Sequence, residues 1–188
     1  MLAAAYRALK RNDRRNIVIG GMTFSFGEVR PRDFARWMRL PDGRPAPLDL
    51  YGHNPFSRRF PDLRDTEYMG YPGARDFGEI DTFHRQLDAI YRGRTARFRH
   101  QGPKLWLSEF TISSDQGNHA FDFFVSRREQ ARWLTAAFQI AHRTSWIAAL
   151  GWIGLLDEPV TLDRHLTTGL MTYEGHRKPA YRAYKRAR

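Results

Sequence analysis

Four short apolar runs, residues 16–22, 48–53, 104–110 and 147–153, each bounded by Gly, Pro, Asn or Asp, alternate with stretches of helical periodicity. That alternation constrains the fold more than any other feature, because strands interleaved with helices build a mainly parallel sheet with helical cover. The helical stretches carry their own signals. Residues 2–11 space Leu2, Tyr6 and Leu9 on one side, and residues 31–40 place Phe34, Trp37 and Met38 on one face. Residues 76–91 pair Asp76 with Glu79 as a capping box, then run Ile80, Phe83, Leu87 and Ile90 as a stripe that stops at Gly93. Ser126 to Glu129 repeats that start signal before Leu134, Ala137, Phe138 and Ala141, and Lys178-Pro179-Ala180-Tyr181 opens a last short helix. The order α β α β α β α β α fits an open doubly wound sheet or part of a closed barrel, and periodicity alone does not separate the two.

Composition narrows the function classes. A chain of 188 residues with 41% hydrophobic side chains is long enough for one sizeable core and does not read as disordered. Its longest apolar run, residues 146–156, falls short of the roughly 18 residues a membrane span requires, so no membrane partner is expected. The opening Met-Leu-Ala-Ala-Ala lacks the charged-then-apolar order of a signal peptide, which leaves the compartment open. The absence of cysteine excludes disulfides and thiolate metal sites. A net charge of +11 raises nucleic-acid binding, but the arginines punctuate helices and loops without forming a stripe interleaved with aromatics. Solvated helix faces account for them better, and no nucleic-acid partner is expected.

The informative asymmetry lies in the loops. Those after Met22, His53, Phe110 and Ile153 are polar, aromatic and Gly/Pro-rich, whereas those before the strands read as plain turns. Active sites of α/β folds sit at the carboxyl ends of strands. Regular alternation along residues 105–111 puts Leu105, Leu107 and Glu109 on one face. If that face points into a barrel, Glu109 stands at its mouth, and a carboxylate beside an apolar interior is more often functional than decorative. A salt-bridged structural glutamate is the alternative. Other chemistries have less support. Gly20-Gly21 lacks the lysine of a P-loop, the seven histidines show no metal-ligand spacing, and Ser108 lacks the flanking glycines of a nucleophile elbow. Neither a cofactor nor a metal is expected.

Several motifs together resemble a known family. Ser108-Glu109-Phe110-Thr111, Tyr51-Gly52-His53-Asn54-Pro55 and Gly151-Trp152-Ile153-Gly154-Leu155 look like the last barrel strands of clan A glycoside hydrolases, the cellulase-like and xylosidase-like superfamily. The ending, from Gly169-Leu170-Met171-Thr172 to Lys178-Pro179-Ala180-Tyr181, is similar to the closing segment of those enzymes. The resemblance spans nearly the whole chain and favours the barrel. It implies one domain over residues 1–188, the fifth to eighth βα units, forming the C-terminal half of a TIM (β/α)₈ barrel with about four parallel strands and covering helices.

By that resemblance Glu109 is the nucleophile of a retaining glycosidase, with a partner acid/base about 5–5.5 Å away. In the clan the partner belongs to an Asn-Glu pair at the end of the fourth strand, and these 188 residues hold no such pair. The chain is therefore expected to be inactive alone, or to serve as a non-catalytic carbohydrate-binding or assembly module. Trp152 would be an aromatic platform under a bound sugar, or else a core tryptophan. His53, or Tyr51 beside it, would hydrogen-bond substrate or Glu109, with a turn-stabilising role next to Asn54-Pro55 equally open. Asn54 is counted with the substrate-binding residues. Asp157 and Glu158 would line the cleft or form a solvated pair. Half a barrel leaves two open sheet edges, so a carbohydrate substrate is joined among expected partners by an N-terminal half-barrel or a second copy.

Overall fold

The strands lie side by side in the order in which the chain meets them, β1-β2-β3-β4, and every neighbouring pair is parallel. This computed structural model describes residues 1–64, 66–67, 70–115, 123–159 and 165–187. The strands are β1 (Ile19–Phe24), β2 (Leu50–Asn54), β3 (Leu105–Phe110) and β4 (Ile147–Trp152). The helices are α1 (Leu2–Asn12), α2 (Pro31–Trp37), α3 (Ile80–Tyr91), α4 (Arg127–Arg143) and α5 (Pro179–Arg186). A doubly wound sheet reverses its strand order at a switch point. No reversal occurs here, and an unreversed parallel order is that of a barrel wall. The fold is α/β, four parallel strands alternating with helices, and it matches half of a (β/α)₈ barrel.

One face of the sheet meets the helices. Tyr51, Leu105, Leu107, Phe110 and Ile147 pack with Ile80, Phe83 and Leu87 of α3 and Trp133 and Ala137 of α4. Each such large apolar side chain contributes roughly 1.5–3 kcal/mol on burial. The α3 stripe is the one the spacing predicts, with Tyr91 completing it, and the chain leaves the helix toward Gly93 at φ 71°. Ser126 caps α4 by accepting from the Glu129 amide at 3.1 Å. A second cluster, Leu134 with Leu170 and Ala180, joins α4 to α5.

The elements differ from expectation in four places. β1 begins at Ile19: Asn16 is held to α1 by donating to the Leu9 carbonyl, and the Val18 amide is taken by the Asp49 carboxylate. β1 then runs on to Phe24 through a bulge at Met22, whose φ is 51°. α2 ends at Trp37 and buries Pro31 and Ala35, leaving Trp37 70% exposed instead of on the core face. The capping box at Asp76 and Glu79 does not form, since both carboxylates pair with arginines and the first turn is 3₁₀ over Phe77–Glu79.

Candidate active site

Glu109 reaches its position through an irregularity in β3. Leu107 pairs with Leu150 and Phe110 with Trp152, so Ser108 and Glu109 together face the single residue Gly151. Two residues opposite one make a β-bulge, which shifts the alternation by one. Leu105, Leu107 and Phe110 are buried, whereas Trp106, Ser108 and Glu109 are half-buried. Regular alternation would have sent Glu109 with Leu105 and Leu107 into the helix layer; the bulge gives that place to Phe110. The expected grouping of Glu109 with the two leucines is thus corrected. The bulge depends on Gly151, because a Cβ there would run into the Ser108 carbonyl oxygen.

What surrounds Glu109 sets it apart. Among the described residues the other carboxylates meet a cation or a hydrogen-bond donor, except Glu28, which is exposed. Glu109 is the half-buried carboxylate left without one, in a chain carrying 31 lysines and arginines. Beside it Ser108 Oγ donates to Asn54 Oδ1 at 2.8 Å, tying the carboxyl ends of β2 and β3 together.

The other expected site residues divide. Trp152 is half-buried, meets Phe110 edge-on at 6.0 Å and donates its indole N–H to the Thr168 carbonyl at 3.0 Å. Tyr51 and His53 are completely buried against Phe83 of α3, on the helix-covered side. Both nitrogens of His53 are committed: Nε2 lies 2.7 Å from the Arg75 carbonyl and Nδ1 2.8 Å from Thr23 Oγ1. Nδ1 also lies 3.1 Å from the Thr23 carbonyl, so each ring nitrogen faces a backbone carbonyl and Nδ1 the Thr23 hydroxyl as well. Burial lowers the His53 pKa to about 4, keeping the ring neutral. Its ring ties β1 and the loop after β2 to the sheet and is not presented beside Glu109. Burial also pushes the Tyr51 hydroxyl up.

Asp157 does not line an open cleft. It is buried against Lys178, whose ammonium lies 2.8 Å from Oδ1 and also donates to the Thr167 carbonyl, and it accepts from the Gly169 amide. Burial pushes the Lys178 ammonium down, and the bond from Asp157 opposes that shift. Glu158 accepts from the Leu166 amide at 2.6 Å.

Three groupings are not foreseen in the sequence. Lys178 is the first; its place directly before Pro179, at the start of a helix, was the available signal. The second is a buried ionic network after β2, in which Arg59 binds both oxygens of Asp76 at 2.7 and 2.8 Å and Arg75 reaches Glu79 at 3.4 Å. Burial pushes the Glu79 carboxyl up. The third is an aromatic cluster at the carboxyl rim, where Phe24 meets Phe56 at 5.5 Å and Phe26 meets Tyr71 at 5.4 Å. Among the described residues no group of three or more His, Asp or Glu could hold a metal ion, and no helix is long and apolar enough to cross a membrane.

No family model and no curated protein matches the sequence. Solved structures do match the fold. The GH39 enzyme from Xanthomonas axonopodis pv. citri aligns with a TM-score of 0.59 at 22% identity, covering 98% of this chain and 34% of its own. PfGH50B aligns at 0.62 and 12% identity, covering 99% and 22%. The β-glucuronidase of Bacteroides uniformis aligns at 0.54 and 16% identity, covering 94% and 18%. At these identities the likeness is one of fold. The fold is glycosidase-like, and the chain spans about a third or less of the length of these proteins.

Proposed function

We propose that these residues form the fifth to eighth βα units of a clan A type glycoside hydrolase barrel, in which Glu109 is the nucleophile of a retaining mechanism. The observation that carries this reading is the half-buried carboxylate at the carboxyl end of β3, without a partner among the described residues and held off the helix layer by a bulge. A carboxylate that meets no cation among the described residues keeps its lone pairs available to an anomeric carbon. Attack from Glu109 would expel the leaving alcohol as a second carboxyl protonates it. Water would then release the sugar with that second group acting as base. Asn54, fixed by Ser108, and Trp152, anchored by Thr168, border the position where the sugar would bind, so they are the residues assigned to substrate. Asp157, Tyr51 and His53 are assigned to holding the surrounding loops, acting on substrate through position only.

The second carboxyl has no candidate in an Asn-Glu pair within residues 1–188, which supports a chain that needs a complementary half-barrel. The same observation favours the second reading, a carbohydrate-binding or assembly module without hydrolysis. Mixing the chain with an N-terminal half-barrel that carries an Asn-Glu strand end, then assaying an activated aryl glycoside, separates the two. Turnover that Glu109→Gln lowers by at least about a thousandfold is the expected result, the scale of loss for an essential nucleophile. A folded, stoichiometric complex without turnover would leave only the binding module.

A further inference from the structure

Helices α4 and α5 run side by side in the same direction. Leu134 clusters with Ala180, and four residues on in both helices Phe138 meets Tyr184 edge-on at 5.5 Å. α4 packs on the sheet through Trp133 and Ala137, and its exposed face lines an open groove of about 1280 Å³ shared with α5. The lining runs from Arg128 to Arg143. At 1.5 Å per residue that stretch is about 22 Å long.

Six exposed arginines border the groove: Arg128, Arg132 and Arg143 on α4, and Arg177, Arg182 and Arg186 on α5 and its approach. No aspartate or glutamate lines it. Among the described residues Arg132 alone of the six meets a carboxylate, that of Glu129, while Arg177 lies over the Tyr181 ring. The solvated face of α3 is built differently, since Arg85 and Arg92 each pair with an aspartate one turn back, Asp81 and Asp88. On the groove the one-turn neighbours are like charges, Arg128 with Arg132 and Arg182 with Arg186. Such pairs weaken a helix until an anion relieves them.

The floor decides what form the anion takes. Ala131, Ala183 and Ala187 sit along the seam between the helices, with the exposed Thr135 beside them. Side chains this short let an apolar ridge come close, and a bare polyphosphate would leave their methyl groups without apolar cover. The bases of a single strand stack on open aromatic faces. Here Phe138 is turned to Tyr184, and Arg132 lies over Phe60. A helix with a small apolar ridge and carboxylates on both flanks matches the floor and the two rims together.

We infer that the α4–α5 groove is a docking site for an acidic amphipathic helix of a partner protein, its apolar ridge on the alanine floor and its carboxylates paired with the arginines of both rims. No strand residue lines the groove, so its occupancy depends neither on Glu109 acting as a nucleophile nor on a complementary half-barrel.

Calorimetric titration of the full chain with a synthetic helical peptide of about 15 residues, bearing glutamates on both flanks of an Ala/Leu ridge, tests it. At about 50 mM salt the peptide binds one to one, at least about tenfold more tightly than a scrambled peptide of the same composition, and it weakens as salt rises to about 500 mM. Arg128→Glu combined with Arg182→Glu keeps the circular dichroism of the wild type and lowers the affinity at least about tenfold. Thr135→Lys, which adds a cation but fills the floor, weakens the peptide and strengthens inorganic polyphosphate. Equal binding of peptide and scramble, tighter binding of polyphosphate or duplex DNA than of the peptide at matched charge, no saturable peptide binding to the folded chain, or an affinity unmoved by the double reversal overturns the assignment.

Discussion

At the scale of single residues, the buried polar groups dictate how the protein answers to pH and substitution. His53 takes up a proton at about pH 4 in the folded chain, below its ordinary 6.5. Between these values the unfolded chain binds a proton that the folded one refuses, so stability falls as pH drops through the window, by about 3 kcal/mol from this residue. Urea unfolding at pH 7 and pH 4.5 should show the wild type losing its advantage over His53→Gln on acidification. An advantage that stays constant would exclude His53 as the source. The Lys178–Asp157 pair gives a second expectation. Lys178→Met leaves Asp157 buried without its cation and should cost about 3–5 kcal/mol in denaturant unfolding, whereas Lys178→Met with Asp157→Leu should recover much of that loss. Glu109→Gln, by contrast, breaks no contact among the described residues and should stay within about 0.5 kcal/mol of the wild type.

At the scale of elements, a bulge aims Glu109, and Gly151 permits the bulge. Gly151→Ala sets a methyl group against the Ser108 carbonyl, which has to be relieved by moving β3 or β4. The expected outcome is a folded protein, by circular dichroism, whose complemented activity drops at least about tenfold through misplacement of the carboxylate. Unchanged activity would mean that the bulge does not direct Glu109. This element also marks how far a sequence can be read. The apolar run over β3 and the carboxylate at its end are visible in one strand. The bulge is a relation between two strands, and nothing in Leu105–Phe110 announces that Gly151 lies opposite. The capping box failed for a related reason: Arg59, 17 residues before Asp76, outcompetes the local amide once the loop folds back. Helix α3 was legible because its stripe repeats inside twelve residues. His53 was legible as a polar residue near a strand end, but its direction depends on Phe83 and Arg75, which pattern alone does not bring near.

At the scale of the whole molecule, β1 pairs only with β2 and β4 only with β3 among the described residues, so each presents an outer edge. Unpaired parallel edges favour association with another chain, while a net charge of +11 opposes contact between identical copies. Sedimentation at rising protein concentration should reveal self-association that strengthens between about 50 mM and 500 mM salt, as screening removes the repulsion. Association that weakens with salt would point to contacts of opposite charge instead. Assembly within the chain has an order of its own. Synthesis delivers Asp157 well before Lys178, and between the two the nascent loop carries an anion that cannot enter the interior without its cation. That corner of the protein closes only after the lysine has left the ribosome, so the last helix acts as a latch that withholds the finished rim from any shorter nascent chain.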